Sequence, residues 1–147
     1  MGYRHTQFGT VIVIVLLIPT ISIFIIPFII GIHILVLHLV LILLSISFPL
    51  LSTLTVKINN GILTCYFGIG LIRKRIHLID VKEYRIVTNS WLVGWGIRWV
   101  PGQYLIWNVS GLQAVELVFN RGPIFRIGTD EPEELLKAIQ INKSLAA

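Results

Sequence analysis

Residues 53–67, TLTVKINNGILTCYF, decide the fold of the chain, because they hold two strand-like runs on either side of one turn. In each run, apolar and polar residues alternate, and this period of two is typical of a half-buried strand. The Asn-Gly pair at residues 60–61 favours a type I′ hairpin turn. The apolar side chains that share a face are Leu54, Val56 and Ile58 before the turn and Leu63, Cys65 and Phe67 after it. These residues therefore predict an antiparallel β-hairpin.

Beyond the hairpin, the same alternation predicts five further strands. Turn-forming residues separate several of them, as at Ser110-Gly111 and Asn120-Arg121-Gly122. The predicted strands cover residues 71–77, 82–88, 103–109, 113–119 and 123–128. The sequence thus predicts seven antiparallel strands in meander order.

The last segment of the chain changes to a helical period. Asp130 is a favourable N-cap, and Glu133 three positions later completes a pair like a capping box. Leu135, Leu136 and Ile139 then recur at helical spacing. A helix is therefore predicted from Glu131 to about Lys143, and the domain is of the β-rich α+β class.

Upstream of the hairpin, the chain is almost wholly apolar. Residues 11–51 are mainly Ile, Leu, Val and Phe, and no residue charged at neutral pH lies between Arg4 and Lys57. Because one membrane-spanning helix needs about 20 apolar residues, this run predicts two. We place the spans near residues 8–26 and 31–48, with a break at Pro27 to Gly31. The predicted organisation is a transmembrane helical hairpin over residues 1–51 and a cytoplasmic domain over residues 52–147.

Composition and charge agree with a membrane protein. The 147 residues are 55% hydrophobic and 13% charged, with a mean hydropathy of +0.85, whereas charged residues make up about 25% of an ordinary soluble domain. Arg4 precedes the apolar run, and Lys57 and the run Arg73-Lys74-Arg75 follow it. Because positive residues are retained on the cytoplasmic side, we predict a multi-pass protein of the cell membrane with two spans and both termini in the cytoplasm.

Several short segments of the second half carry a family resemblance. They are Leu78-Ile79-Asp80-Val81, Gly94-Trp95-Gly96-Ile97-Arg98, Trp107-Asn108-Val109-Ser110-Gly111 with Ala114-Val115-Glu116-Leu117, and Arg126-Ile127-Gly128-Thr129-Asp130-Glu131-Pro132. With them, the chain resembles bacterial pleckstrin-homology-like (PH-like) domains in small membrane proteins, a largely uncharacterised family in which a pair of hydrophobic helices precedes the domain. The resemblance implies a seven-stranded, antiparallel, partly open barrel capped by a C-terminal helix.

The sequence contains no recognisable set of catalytic residues. Cys65 is the sole cysteine, which excludes an intrachain disulfide and a CxxC site. His33 and His38 lie about 140° apart on a helix and have no charged neighbour, so we interpret them as neutral, hydrogen-bonded side chains. Helix contacts in a small oligomeric transporter are the alternative for these histidines. We predict a protein that is not an enzyme and that holds neither cofactor nor metal.

Two groups of residues are candidates for an interface with a membrane or a partner. The basic run on the third strand would be attracted to an anionic surface, and an ordinary solvated strand is its alternative. All four tryptophans lie within residues 91–107, and tryptophan is enriched at membrane interfaces. Packing of most of these rings in the core is the alternative for the tryptophans. The candidate interface consists of Arg73, Lys74, Arg75, Trp91, Trp95, Arg98 and Trp99.

The function that these observations favour is non-enzymatic. Of the basic residues, only Lys57 is near the first turn, where eukaryotic PH domains generally bind phosphoinositides. This departure from the family's pattern favours a membrane-anchored protein-interaction or scaffolding module over specific lipid recognition. The alternatives are a module that binds or senses anionic lipid and a subunit of a small oligomeric transporter. The expected partners are a lipid bilayer, a membrane or cytoplasmic protein, and a second copy of the chain. Nucleic acid is excluded because no recognition motif accompanies the basic residues.

Overall fold

The computed structural model describes residues 2–30, 35–36, 39–40, 42–43, 46 and 51–145, with the backbone alone at residues 12, 15, 16, 23, 24, 27, 28 and 30. Four strands form a first, antiparallel sheet in the order β1-β2-β3-β4. They are β1 (Tyr3–Phe8), β2 (Thr53–Asn59), β3 (Ile62–Phe67) and β4 (Ile72–His77). The hairpin of β2 and β3 turns at Asn60 and Gly61, both with positive φ, as the Asn-Gly pair predicts.

Five strands form the second sheet, in the order β5-β8-β9-β7-β6. Its neighbouring strands are antiparallel except for β7 and β9, which are parallel. The strands are β5 (Val81–Thr88), β6 (Gly96–Val100), β7 (Tyr104–Asn108), β8 (Gln113–Phe119) and β9 (Ile124–Gly128). Because β5 and β6 lie at opposite edges, residues 89–95 connect one edge of the sheet to the other.

The described elements also include two α-helices. Helix α1 (Thr10–Ile30) follows β1 directly, and helix α2 (Pro132–Ser144) is the last described element. The buried side chains of α2 include Leu135 and Ile139, which join apolar residues from both sheets in one core. Phe67, Trp107 and Phe125 form the aromatic part of that core, with ring centroids 5.2 Å and 5.7 Å apart in successive pairs. Burial of these large side chains supplies most of the driving force for packing α2 and the sheets together.

The seven predicted strands and the C-terminal helix are all present, but the predicted fold class is wrong. The structure adds β1 and β6, which are not among the predicted strands. The parallel pairing of β7 with β9 replaces the meander order, and the two sheets do not form a closed barrel. The difference arises because the order of strands depends on pairings between distant segments, which alternation within a segment does not encode.

The predicted membrane hairpin is also corrected by the structure. Phe8, which we placed at the start of the first span, is the last residue of β1, where it is paired with Thr53. Helix α1 continues through Pro27 to Ile30, because a proline removes one backbone donor and can kink a helix without ending it.

No helix qualifies as a membrane span over the residues that the structure describes. This finding contradicts the two spans, the multi-pass location in the cell membrane and the cytoplasmic placement of both termini. His33 and His38 lie outside the described residues, as does most of the second predicted span.

Cys65 is fully buried on β3, as predicted. Burial raises the pKa of its thiol to about 12, and the nearby charge of Lys74 offsets this only in part. Since the thiolate is the reactive form, we expect iodoacetamide to label Cys65 at least about tenfold more slowly in the folded chain than in guanidinium chloride. Mass spectrometry of timed samples measures both rates. Equal rates would show that the β2-β3-β4 layer opens freely.

Candidate functional site: a basic cleft at the edge of β4

A cleft of about 510 Å³ opens between β4 and the turn that joins β8 to β9. One wall is made of four consecutive β4 residues, 74–77, and the other of residues near the turn. The lining residues are Lys74, Arg75, Ile76, His77, Asp80, Phe119, Asn120, Arg121 and Pro123. The cleft therefore brings together parts of both sheets.

Strand order explains why the cleft is open. Within the described residues, β4 is paired with β3 alone and forms the last strand of the first sheet. The opposite wall is held in place by a backbone hydrogen bond in which the N–H of Asn120 donates to the oxygen of Asp80 at 3.2 Å. The φ of Gly122 is 109°, a value that glycine adopts readily and other residues rarely do. The turn is thus fixed facing the edge of β4 that is left unpaired by the described strands.

The charge of the cleft is strongly positive. Lys74, Arg75 and Arg121 are cations at neutral pH, and Asp80 supplies the one carboxylate of the lining. In the described part of the chain, no carboxylate lies within 4.0 Å of the basic nitrogens of Lys74, Arg75 or Arg121. These cations are therefore available to an anionic ligand.

Lys74 differs from the other cations because its side chain points between the sheets. Its Nζ lies 4.3 Å from the centroid of the Phe125 ring, a cation–π contact. Burial lowers the pKa of Lys74 below its ordinary value, since loss of water disfavours the charged form. An anionic group entering the cleft would compensate for that loss of hydration.

The predicted interface is divided between two places in the fold. Lys74 and Arg75 line the cleft, whereas Arg73, although exposed on the same strand, does not. Trp91, Trp95, Arg98 and Trp99 lie on the connection to β6 and on β6 itself, in the second sheet. Among the described residues, no hydrogen bond or ion pair joins the two groups.

The tryptophans are more exposed than their core-packing alternative predicts. Trp91 is 72% exposed and Trp99 is 56% exposed, while Trp107 alone of the four belongs to the buried core. Arg98 donates from Nε to the backbone oxygen of Trp95 at 3.3 Å, which ties β6 to the end of the connection. Trp91 and Trp99 therefore present exposed aromatic rings on this part of the second sheet.

Sequence reasoning missed the half of the cleft contributed by the second sheet. From the sequence, we placed Arg121 only in a turn and Asp80 only in one of the segments that carry the family resemblance. Nothing in the spacing of these residues indicates that they face β4, because more than 40 residues separate Arg75 from Arg121. The only available signal was the isolated cation in the Asn-Arg-Gly turn.

Comparison with known proteins adds no relative for this chain. Searches against protein-family models, curated proteins and solved structures found no match. The structure also departs from the seven-stranded meander that the PH-like resemblance implies. The predicted membership of the bacterial PH-like family is therefore wrong. Evidence about function comes instead from the two-sheet fold and its basic cleft.

Proposed function

We propose that this chain is a non-catalytic interaction module that captures an acidic segment of a partner protein in the basic cleft. The observation that carries the proposal is a cluster of three cations at the edge of β4, where the described residues provide neither a carboxylate partner for them nor a neighbouring strand on that side. Charge complementarity of this kind increases the rate of encounter and selects acidic partners. Apolar lining from Ile76, Phe119 and Pro123 provides contact area beside the charges.

The experiment measures binding of a fluorescein-labelled oligoglutamate peptide to the full chain by fluorescence anisotropy. A non-ionic detergent keeps the exposed apolar residues of α1 dispersed. The double variant Arg75→Gln/Arg121→Gln should weaken binding by about tenfold, equivalent to about 1.4 kcal/mol. Binding to the unmodified chain should also weaken as salt is added, because screening reduces charge attraction.

A second double variant, Arg73→Gln/Lys137→Gln, is the matched control. It removes the same charge from exposed residues that do not line the cleft, and we expect it to change the affinity less than about twofold. Equal losses in the two variants would show attraction by net charge and contradict the proposal. Binding to micelles that contain phosphatidylserine, without binding to the peptide, would instead favour the anionic-lipid function.

A further inference from the structure

Resting on the proposed function, we infer that the acidic segment binds as an added β-strand along the free edge of β4. Strand addition is one of the recurrent ways in which a sheet recognises a peptide, with main-chain hydrogen bonds giving affinity and side-chain sites giving specificity. The cleft supplies both requirements, an edge that pairs with no strand of the described residues and a defined series of lining side chains.

The backbone of β4 provides the docking groups. Its residues pair with β3 in an unbroken register from Ile72 opposite Phe67 to His77 opposite Ile62. In such a strand, alternate residues direct their N–H and C=O groups away from the neighbour. The four lining residues of β4 would accommodate about 13 Å of extended chain, or roughly four residues.

The side chains of β4 specify which residues the added strand should carry. Lys74 and Ile76 point inward, with Ile76 buried and Lys74 over Phe125, whereas Arg75 and His77 are exposed on the other face. Residues directly opposite each other on neighbouring strands share a face and contact. The favoured segment therefore carries acidic residues opposite Lys74 and Arg75, an apolar residue opposite Ile76, and an acidic residue opposite His77.

Lys74 also gives the edge its selectivity. An inward-pointing charge on an edge strand discourages pairing with apolar strands, because the charge would lose water without gaining a partner. A carboxylate on the incoming strand removes that penalty. The same lysine that protects the edge from indiscriminate pairing thus favours an acidic strand.

The test uses a labelled peptide with the core Glu-Val-Glu-Glu, which in an antiparallel added strand places the valine opposite Ile76, and two backbone-methylated versions of it. One version is N-methylated at the odd residues of the core and the other at the even residues. In an added strand, only alternate amides face β4, so one version should bind the full chain about tenfold more weakly. The other version should bind within about twofold of the unmodified peptide.

The outcomes distinguish this inference from the proposed function. If both methylated peptides bind like the unmodified one, and Arg75→Gln/Arg121→Gln still weakens all three, strand addition is overturned and the basic cleft remains the binding site. If the unmodified peptide is insensitive to Arg75→Gln/Arg121→Gln, the proposed function itself fails. Equal weakening by both methylation patterns would also overturn strand addition, since it shows no alternation.

Discussion

Replacement of Glu116 by glutamine is expected to lower the free energy of unfolding by about 3–5 kcal/mol. The Glu116 side chain is only 1% exposed and lies between two arginines. Arg85 donates to Oε1 from Nη2 at 2.6 Å and from Nε at 2.7 Å, and Arg126 donates to Oε2 from Nε at 2.7 Å. Glutamine removes the carboxylate charge and leaves Arg126, whose side chain is 17% exposed, without its counter-ion.

Strand register creates this ion-pair group, since Arg85, Glu116 and Arg126 are directly opposite one another on β5, β8 and β9. Arg126 additionally donates from Nη1 to Oδ1 of Asn89 at 2.9 Å and lies 3.5 Å from the centroid of the Tyr104 ring. The effect of Glu116→Gln should therefore extend to the connection that begins at Asn89.

The loss should also depend on pH. Burial alone would raise the pKa of Glu116, but hydrogen bonds and charge from Arg126 and Arg85 outweigh burial and lower the pKa below its ordinary value. A lowered carboxyl pKa means that the stabilisation is present above the pKa of the unfolded chain and disappears as pH falls through that of the folded chain. Urea denaturation at neutral pH should therefore show a larger difference from the unmodified chain than denaturation in acid.

Glu83→Gln provides the control for this prediction. Glu83 lies on β5, and its carboxylate and the ammonium of Lys82 form a pair 3.7 Å apart in which both side chains are 63% exposed. We expect its removal to change stability by less than about 0.5 kcal/mol. If Glu116→Gln were as mild as Glu83→Gln, the buried group would not be a source of stability.

The substitution Gly128→Ala is expected to destabilise the chain by about 3 kcal/mol, through overpacking. A Cβ at residue 128 would overlap Oδ1 of Asn108 and would lie 2.8 Å from its Cβ. Asn108 is itself buried and donates from Nδ2 to the oxygen of Gly111 at 3.0 Å. The neighbour therefore has little freedom to move, and thermal unfolding should report a clear decrease in Tm.

A double variant tests the cause of that decrease. Asn108→Gly removes the side chain that the new methyl group would meet, so Gly128→Ala should cost less in the Asn108→Gly background than in the unmodified chain. Gly2→Ala serves as the control, since the nearest atom to a Cβ there is 3.6 Å away. Additive losses at residues 108 and 128 would contradict the steric explanation.

The periodicity of apolar residues within each segment was sufficient to locate the seven strands and the last helix, because each of these segments has the period of its own secondary structure. It failed for β1, whose apolar and polar residues do not alternate regularly and whose partner β2 is more than 40 residues away. It failed for β6 because three of its five residues are exposed and Gly94 and Gly96 suggested an irregular loop. Both are edge strands. In such strands fewer side chains are buried, so the alternation of apolar and polar residues in the sequence is weakest.

The candidate site was predicted in part for the same reason. Lys74 and Arg75 belong to a conspicuous basic run on one strand, so their clustering was visible before the fold was known. Arg121 joins them only after β8 and β9 bring the turn against β4. The apolar segment, in turn, led to a predicted membrane hairpin that the described residues do not support.

The position of β1 has a consequence for the order in which the chain folds. The N–H of Gly9 donates to the oxygen of Ser52 at 2.7 Å. The two ends of the long segment that connects β1 to β2 therefore meet where these two strands pair. Closing so long a loop carries an entropic penalty, while β2, β3 and β4 can associate through short connections. Strand β1 is therefore expected to join the sheet late, after β2, β3 and β4 have already formed a template for it.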